Sequence, residues 1–183
     1  MVKSDEQLLE LALAGDGVSF GELARRWQRR IYAFVCRYVG NAEEAKDLTQ
    51  NTFAKAYSNL DRLSDPASFS AWMHKIALNE CRMRHRSQAR SRQVALEEIP
   101  DSENLQIDAR TPEAVFQNTE IGDLLREAVQ ALPEEQRTVI LMKEYQGLKF
   151  HEIAEIESVP LSTVKSRMYL GLKTLRRLLE KRT

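Results

Sequence analysis

Lys75, Asn79, Arg82 and Arg86 recur at i, i+4, i+7 and i+11, a spacing that lines up one face of a helix. Cations in a row suit the phosphates of a nucleic-acid backbone. The amide of Asn79 adds a single group able to read a base edge. Tyr57, Phe69 and Trp72 lie near the loop ahead of this stretch, where their rings suit either stacking on an unpaired base or a core. A second row lies near the C-terminus. Ser166, Tyr169, Leu170, Lys173 and Arg177 share a helical face, with Lys165 on its flank. Here Lys165, Lys173 and Arg177 suit phosphates, Ser166 and Tyr169 offer hydrogen bonds, and Leu170 suits a thymine methyl. Periodicity alone also fits an ordinary amphipathic helix with a solvated charged face. A third group, Asp47, Gln50, Asn51 and Ala54, forms a polar, nearly flat face that could simply be solvated.

Other chemistry finds little support. His74, Cys81 and His85 align at i, i+7 and i+11, and Cys81 with His85 has metal-ligand spacing. No fourth ligand accompanies them, and the surrounding basic segment repels cations, so no metal or other cofactor is expected. There is no nucleophile elbow or phosphate loop, and an enzyme with a small-molecule substrate is not expected.

The elements that must position these residues are helices. Ser4 and Gln7 form a capping box before Leu8, Leu11 and Ala12. A second helix runs from about Val18 to Val39, with Gly40 as its C-terminal cap. Asn41 caps a third, from Ala42 to about Leu60, whose apolar seam lies opposite Asp47 and Gln50. A fourth starts near Ser68 and turns Phe69, Trp72, Met73, Ile76 and Met83 inward. Periodicity fails between about Gln93 and Pro112, a segment read as a linker. Four further helices are expected at about Glu113–Leu132, Glu134–Tyr145, Phe150–Glu157 and Ser162–Lys181, with Pro133 in a first turn and Gly147 as a stop. The last two flank a tight Ser158-Val159-Pro160 turn in a helix–turn–helix layout, with Ser162 capping the longer helix. Val164, Met168, Leu172, Leu175 and Leu179 form that helix's core seam. The fold class is all-α, with two small helical domains (1–92 and 113–183) joined by a flexible acidic linker, 93–112.

Charge agrees with two separate nucleic-acid contacts. The 183 residues carry 27 Lys and Arg and 27 Asp and Glu, so the net charge is zero, yet the signs are segregated. His74 to Arg92 holds six bases against Glu80. Glu97 to Glu120 holds seven acids against Arg110, and Leu161 to the end holds seven bases against Glu180. Two cysteines without small-domain spacing, no signal pattern and no membrane-length apolar run lead us to expect a reduced, cytoplasmic protein with no direct membrane insertion.

The runs NAEEAKDLTQNTFAKAYSNLDRL and FSAWMHKIALNECRMRHR resemble region two of extracytoplasmic-function sigma factors. The run ALPEEQRTVILMKEYQGLKFHEIAEIESVPLSTVKSRMYLGLKTLRRLL resembles their region four. The resemblance implies an alternative sigma factor that binds core RNA polymerase, directs initiation at particular promoters and is controlled by an anti-sigma factor. Asp47 and Gln50, with Asn51 and Ala54 on the same face, match the polymerase-docking positions. Asn79 and the loop from Ser64 to Phe69 match the pocket for a flipped minus-ten base, and Lys55, Lys75, Arg82 and Arg86 fall on the same minus-ten surface. Lys165, Ser166 and Tyr169 match minus-35 contacts, extended along the helix by Leu170, Lys173 and Arg177. The acidic linker matches a segment threaded near the RNA exit path. Leu170 replaces a base found in some members, and Glu80-Cys81 departs from the usual residues after Asn79, so the promoter sequence does not transfer. The alternative is a stand-alone helix–turn–helix regulator, which needs only the C-terminal half.

Overall fold

The structure, a computed structural model, describes residues 3–95 and 120–181. The first three helix starts each have a local cause. Ser4 accepts from the Gln7 amide while the Gln7 side chain accepts from the Ser4 amide, and α1 (Asp5–Leu13) follows. Asp16 accepts from the Val18 amide to start α2 (Gly17–Val39). Gly40, at φ 77°, ends α2 in the left-handed region, and Asn41 at once caps α3 (Ala42–Ser58). Two single 3-10 turns, Leu60–Arg62 and Pro66–Ser68, lead into α4 (Phe69–Ala95). Leu8, Leu23, Ile31, Phe34, Tyr38, Met73 and Leu78 are sealed between these four helices.

The second bundle contains α5 (Glu120–Gln130), α6 (Glu134–Ile140), α7 (Phe150–Glu157) and α8 (Leu161–Glu180). A π-helical turn, Leu141–Tyr145, continues α6. Its extra residue lets the Gln146 amide reach the Leu141 carbonyl at 3.2 Å and turns the Gln146 side chain inward. Gly147, at φ 68°, then stops the helix. Val139, Ile140, Leu141, Met142, Ile153, Val164 and Met168 form this bundle's core. The described residues contain no strand, in agreement with an all-α chain.

Several expectations need correction. Met83 is exposed rather than inward. Leu172 is also exposed. The inner seam of α8 is Val164, Met168 and Gly171, flanked by Leu175 and Leu178. Gly171 lets α8 approach α6 closely: a Cβ there would stand 2.8 Å from Ile140 Cδ1, so that side chain would have to shift. Pro133 and Pro160 occupy N-cap positions, so Pro133 precedes its helix and Ser162 lies inside α8 instead of capping it. α4 continues through the first residues of the expected linker to Ala95, while 96–112 and the expected helix start at Glu113 lie outside the described residues.

The two bundles touch. Helix α4 packs on α7, and α2 packs on α5 and on the π-helical turn. Nothing in the periodicity indicates this contact.

Candidate nucleic-acid interface

Of the row on α4, Lys75, Asn79 and Arg86 are exposed. Arg82 is not free. Its Nε donates to Glu134 Oε1 at 2.9 Å, and its Nη2 lies 3.0 Å from Glu157 Oε1. Both carboxylates belong to the second bundle. Burial acts against the Arg82 charge, but hydrogen bonds to Glu157 and Glu134 outweigh it and raise the pKa above the usual guanidinium range. Burial likewise opposes the Glu134 charge, yet the bonds from Arg82 and from the Tyr38 hydroxyl (2.9 Å) leave its carboxyl below the ordinary value. Lys55 is half exposed and pairs at 2.5 Å with the buried Glu80.

The aromatic rings near this row divide by burial. Phe69 is a core residue, edge-on to Trp27 at 5.3 Å, and Trp72 packs partly buried against it. Tyr57 is 55% exposed, its ring backed by Phe20 at 5.0 Å. Tyr57 therefore presents a ring to solvent, whereas Phe69 presents none.

In the second bundle, Ser158 takes a left-handed conformation at φ 54°, which makes the turn between α7 and α8 tight. Lys165, Ser166, Tyr169, Leu170, Lys173 and Arg177 are all exposed on α8. Tyr169 is 68% and Leu170 48% exposed, an open apolar strip between cations. Arg167 points the other way. It pairs with Glu157 at 3.1 Å and with Glu135 at 3.0 Å, fastening α8 to α7 and α6.

Asp47, Gln50, Asn51 and Ala54 are exposed together on α3. Beside them α2 and α3 enclose an open cavity of about 400 Å³ lined by Ala24, Arg25, Tyr32, Lys46, Gln50 and Phe53. A pocket next to a polar face suits an anchoring side chain from a protein partner.

Neither His74 nor Cys81 is available to a ligand. His74 is fully buried, with Nδ1 2.7 Å from the Ser70 carbonyl oxygen and Nε2 3.3 Å from Gln146 Oε1. Burial lowers its pKa, and it pushes the Cys81 thiol up to about 12. Among the described residues, no group of three His, Cys, Asp or Glu side chains is placed to hold a metal ion. Arg30 also reaches this place and donates to the Gln146 backbone oxygen. Residue patterning missed Glu134, Gln146 and Glu157, since a carboxylate or amide on a short helix carries no sign of its distant partner.

Residues 23–91 match the family described as Sigma-70 region 2, and residues 122–175 match Sigma-70, region 4. The chain is 30% identical to the RNA polymerase sigma-H factor of Pseudomonas aeruginosa, over 97% of this chain and 95% of that one. It is 31% identical to the ECF RNA polymerase sigma factor SigW of Bacillus subtilis, over 89% and 90%. Its fold resembles the sigma factor RpoE in complex with the anti-sigma factor NepR from Bartonella quintana, with a TM-score of 0.72 at 22% identity over 88% and 96% of the two chains. It also resembles CnrH in complex with the cytosolic domain of CnrY, with a TM-score of 0.69 at 23% identity over 99% and 100%. With both regions matched in order and relatives aligned along nearly their whole length, the chain belongs to the extracytoplasmic-function sigma factors of RNA polymerase.

Proposed function

We propose that this sigma factor divides its work among three surfaces. The chain is an alternative sigma factor, which joins core RNA polymerase and directs initiation at particular promoters. In our reading the α3 face of Asp47, Gln50, Asn51 and Ala54 docks on the polymerase. The α4 surface of Lys55, Lys75, Asn79, Arg82 and Arg86 binds the minus-ten element, with Asn79 reading a base. Phe69 acts there through the core that shapes the loop, since its ring is buried. The outer face of α8 binds the minus-35 element through Lys165, Ser166, Tyr169, Leu170, Lys173 and Arg177. We divide the chain at 1–92 and 113–183 with 93–112 as the linker, its first three residues, 93–95, forming the end of α4.

The observation that carries this reading is the exposure, on separate helices, of one polar face and two basic faces that lie in the two matched regions, except for Arg177, two residues past the second. Binding energy does the work. Capturing a flipped base costs a few kcal/mol of unstacking. Joining two modest DNA contacts on one polymerase raises the effective concentration of the second. No bond is made or broken by the chain itself. We read control by an anti-sigma factor as part of this function, supported by the solved neighbour RpoE, which is in complex with the anti-sigma factor NepR. We assign the chain to the cytoplasm because core polymerase, its partner in this reading, works there.

The test is transcription in vitro with bacterial core polymerase and a pool of promoter fragments, comparing the wild type with Asp47→Ala/Gln50→Ala. Specific initiation that falls in the double variant supports the reading. Duplex binding without core binding or initiation overturns it in favour of a stand-alone regulator.

A further inference from the structure

Glu157 is an unusual carboxylate. Its side chain is 2% exposed, and it lies between Arg82 of the first bundle and Arg167 of α8. Glu134 grips the same guanidinium from a second side, so Arg82 is held by two carboxylates. A phosphate would offer Arg82 the same chemistry, two anionic oxygens to the fork of a guanidinium. We propose that Glu157, assisted by Glu134, is a positioning residue that stands in for a DNA phosphate on Arg82 while the two bundles touch, so that bundle contact and use of Arg82 by minus-ten DNA exclude each other. This rests on the reading of the α4 row as a DNA surface.

The surroundings make the exchange feasible in both directions. A buried carboxylate stripped of its only partner would be costly. Glu157 keeps Arg167 within 3.1 Å when Arg82 leaves, and Arg167 belongs to its own bundle. Glu134 is 43% exposed and can be hydrated once released. Lys75, Asn79 and Arg86 are exposed already, so Arg82 is the member of the row whose release requires the bundles to part.

The test uses the full chain and a fluorescent twelve-residue oligothymidine at low salt, because a phosphate contact needs no promoter sequence. Glu157→Gln and Glu134→Gln should each bind the strand about threefold to tenfold more tightly than the wild type, since one cation contact is regained. Glu10→Gln, on the exposed side of α1, removes the same charge elsewhere and should stay within about twofold. In an Arg82→Gln background the gain should vanish. If Glu157→Gln does not fold, Glu134→Gln decides alone. A gain no larger than that of Glu10→Gln, or one that survives in Arg82→Gln, overturns the proposal. If the wild type supports initiation in that case, only this proposal fails. If the wild type neither initiates nor binds the strand, the DNA reading of α4 fails and takes the proposal with it.

Discussion

Lys55 Nζ lies 2.5 Å from Glu80 Oε1, so the end of α3 is tied to the middle of α4 one residue from Asn79. The Glu80 side chain is 6% exposed and that of Lys55 47%. Removing the lysine leaves a buried carboxylate without this partner. Lys55→Met should therefore cost about 1–3 kcal/mol, whereas Glu80→Gln should cost less because it removes the charge itself. Urea unfolding followed by circular dichroism measures both. Wild-type midpoints for Lys55→Met would reduce the pair to an ordinary surface contact.

Gly171→Ala should destabilise the second bundle although alanine is the better helix former. The new methyl would stand 2.8 Å from Ile140 Cδ1 and 3.3 Å from Gln136 Cβ. Overpacking of this kind costs about 1–3 kcal/mol against a helix-propensity gain of about 1 kcal/mol. Thermal unfolding of Gly171→Ala, alone and with Ile140→Val, checks the cause. The second substitution should restore part of the loss.

Acid should weaken the fold through His74. Burial lowers its pKa. The nearby Arg30 of α2 adds to this, while bonds to Ser70 and Gln146 and the charge of Glu152 on α7 oppose it. The unfolded chain then takes up a proton at higher pH than the native one. Stability should rise with pH across the window below about 6.5 and be lost as pH falls through it, by up to about 1.4 kcal/mol per pH unit. Urea unfolding at several pH values should give a flatter profile for His74→Gln over that window. Parallel profiles would exclude His74 as the source.

Cys81 should resist alkylation until the first bundle opens. Burial first, and then the charges of Glu44 and Glu80, push its thiol up to about 12. Cys36 is less buried, and its thiol is also pushed up by burial. Iodoacetamide at pH 8 followed by mass spectrometry should modify Cys36 first. The Cys81 rate should track unfolding in urea.

Lys173→Ala should weaken promoter binding across sequences and lower the salt slope by about one unit, as expected when a single phosphate contact is lost. Asn79→Ala should instead relax preference at one base of the minus-ten element. Initiation from a promoter library, repeated at several salt concentrations, separates the two effects. Unchanged selectivity for Asn79→Ala would remove it from base reading.

Most of the secondary structure was legible because its causes are local. Gly40 followed by Asn41, the Ser4 capping box and the Gly147 stop each act within four residues, and the helices begin or end there. Sidedness was less secure. Met83 and Leu172 are apolar at positions the bundles leave open, while Gly171 is buried through a close approach that hydrophobicity does not register. The three candidate faces follow from residue type and helical spacing alone.

By itself the sequence determined the helices, the two regions and the basic and polar rows, because caps, turns and periodicity act between near neighbours. Only the tertiary structure decided that Phe69 is core while Tyr57 is open, that Arg82 is held by Glu134 and Glu157, and that His74 is sealed beside Gln146. The Arg82 and His74 relations join residues 52 to 75 positions apart, and their geometry arises from helix packing, which no local spacing encodes.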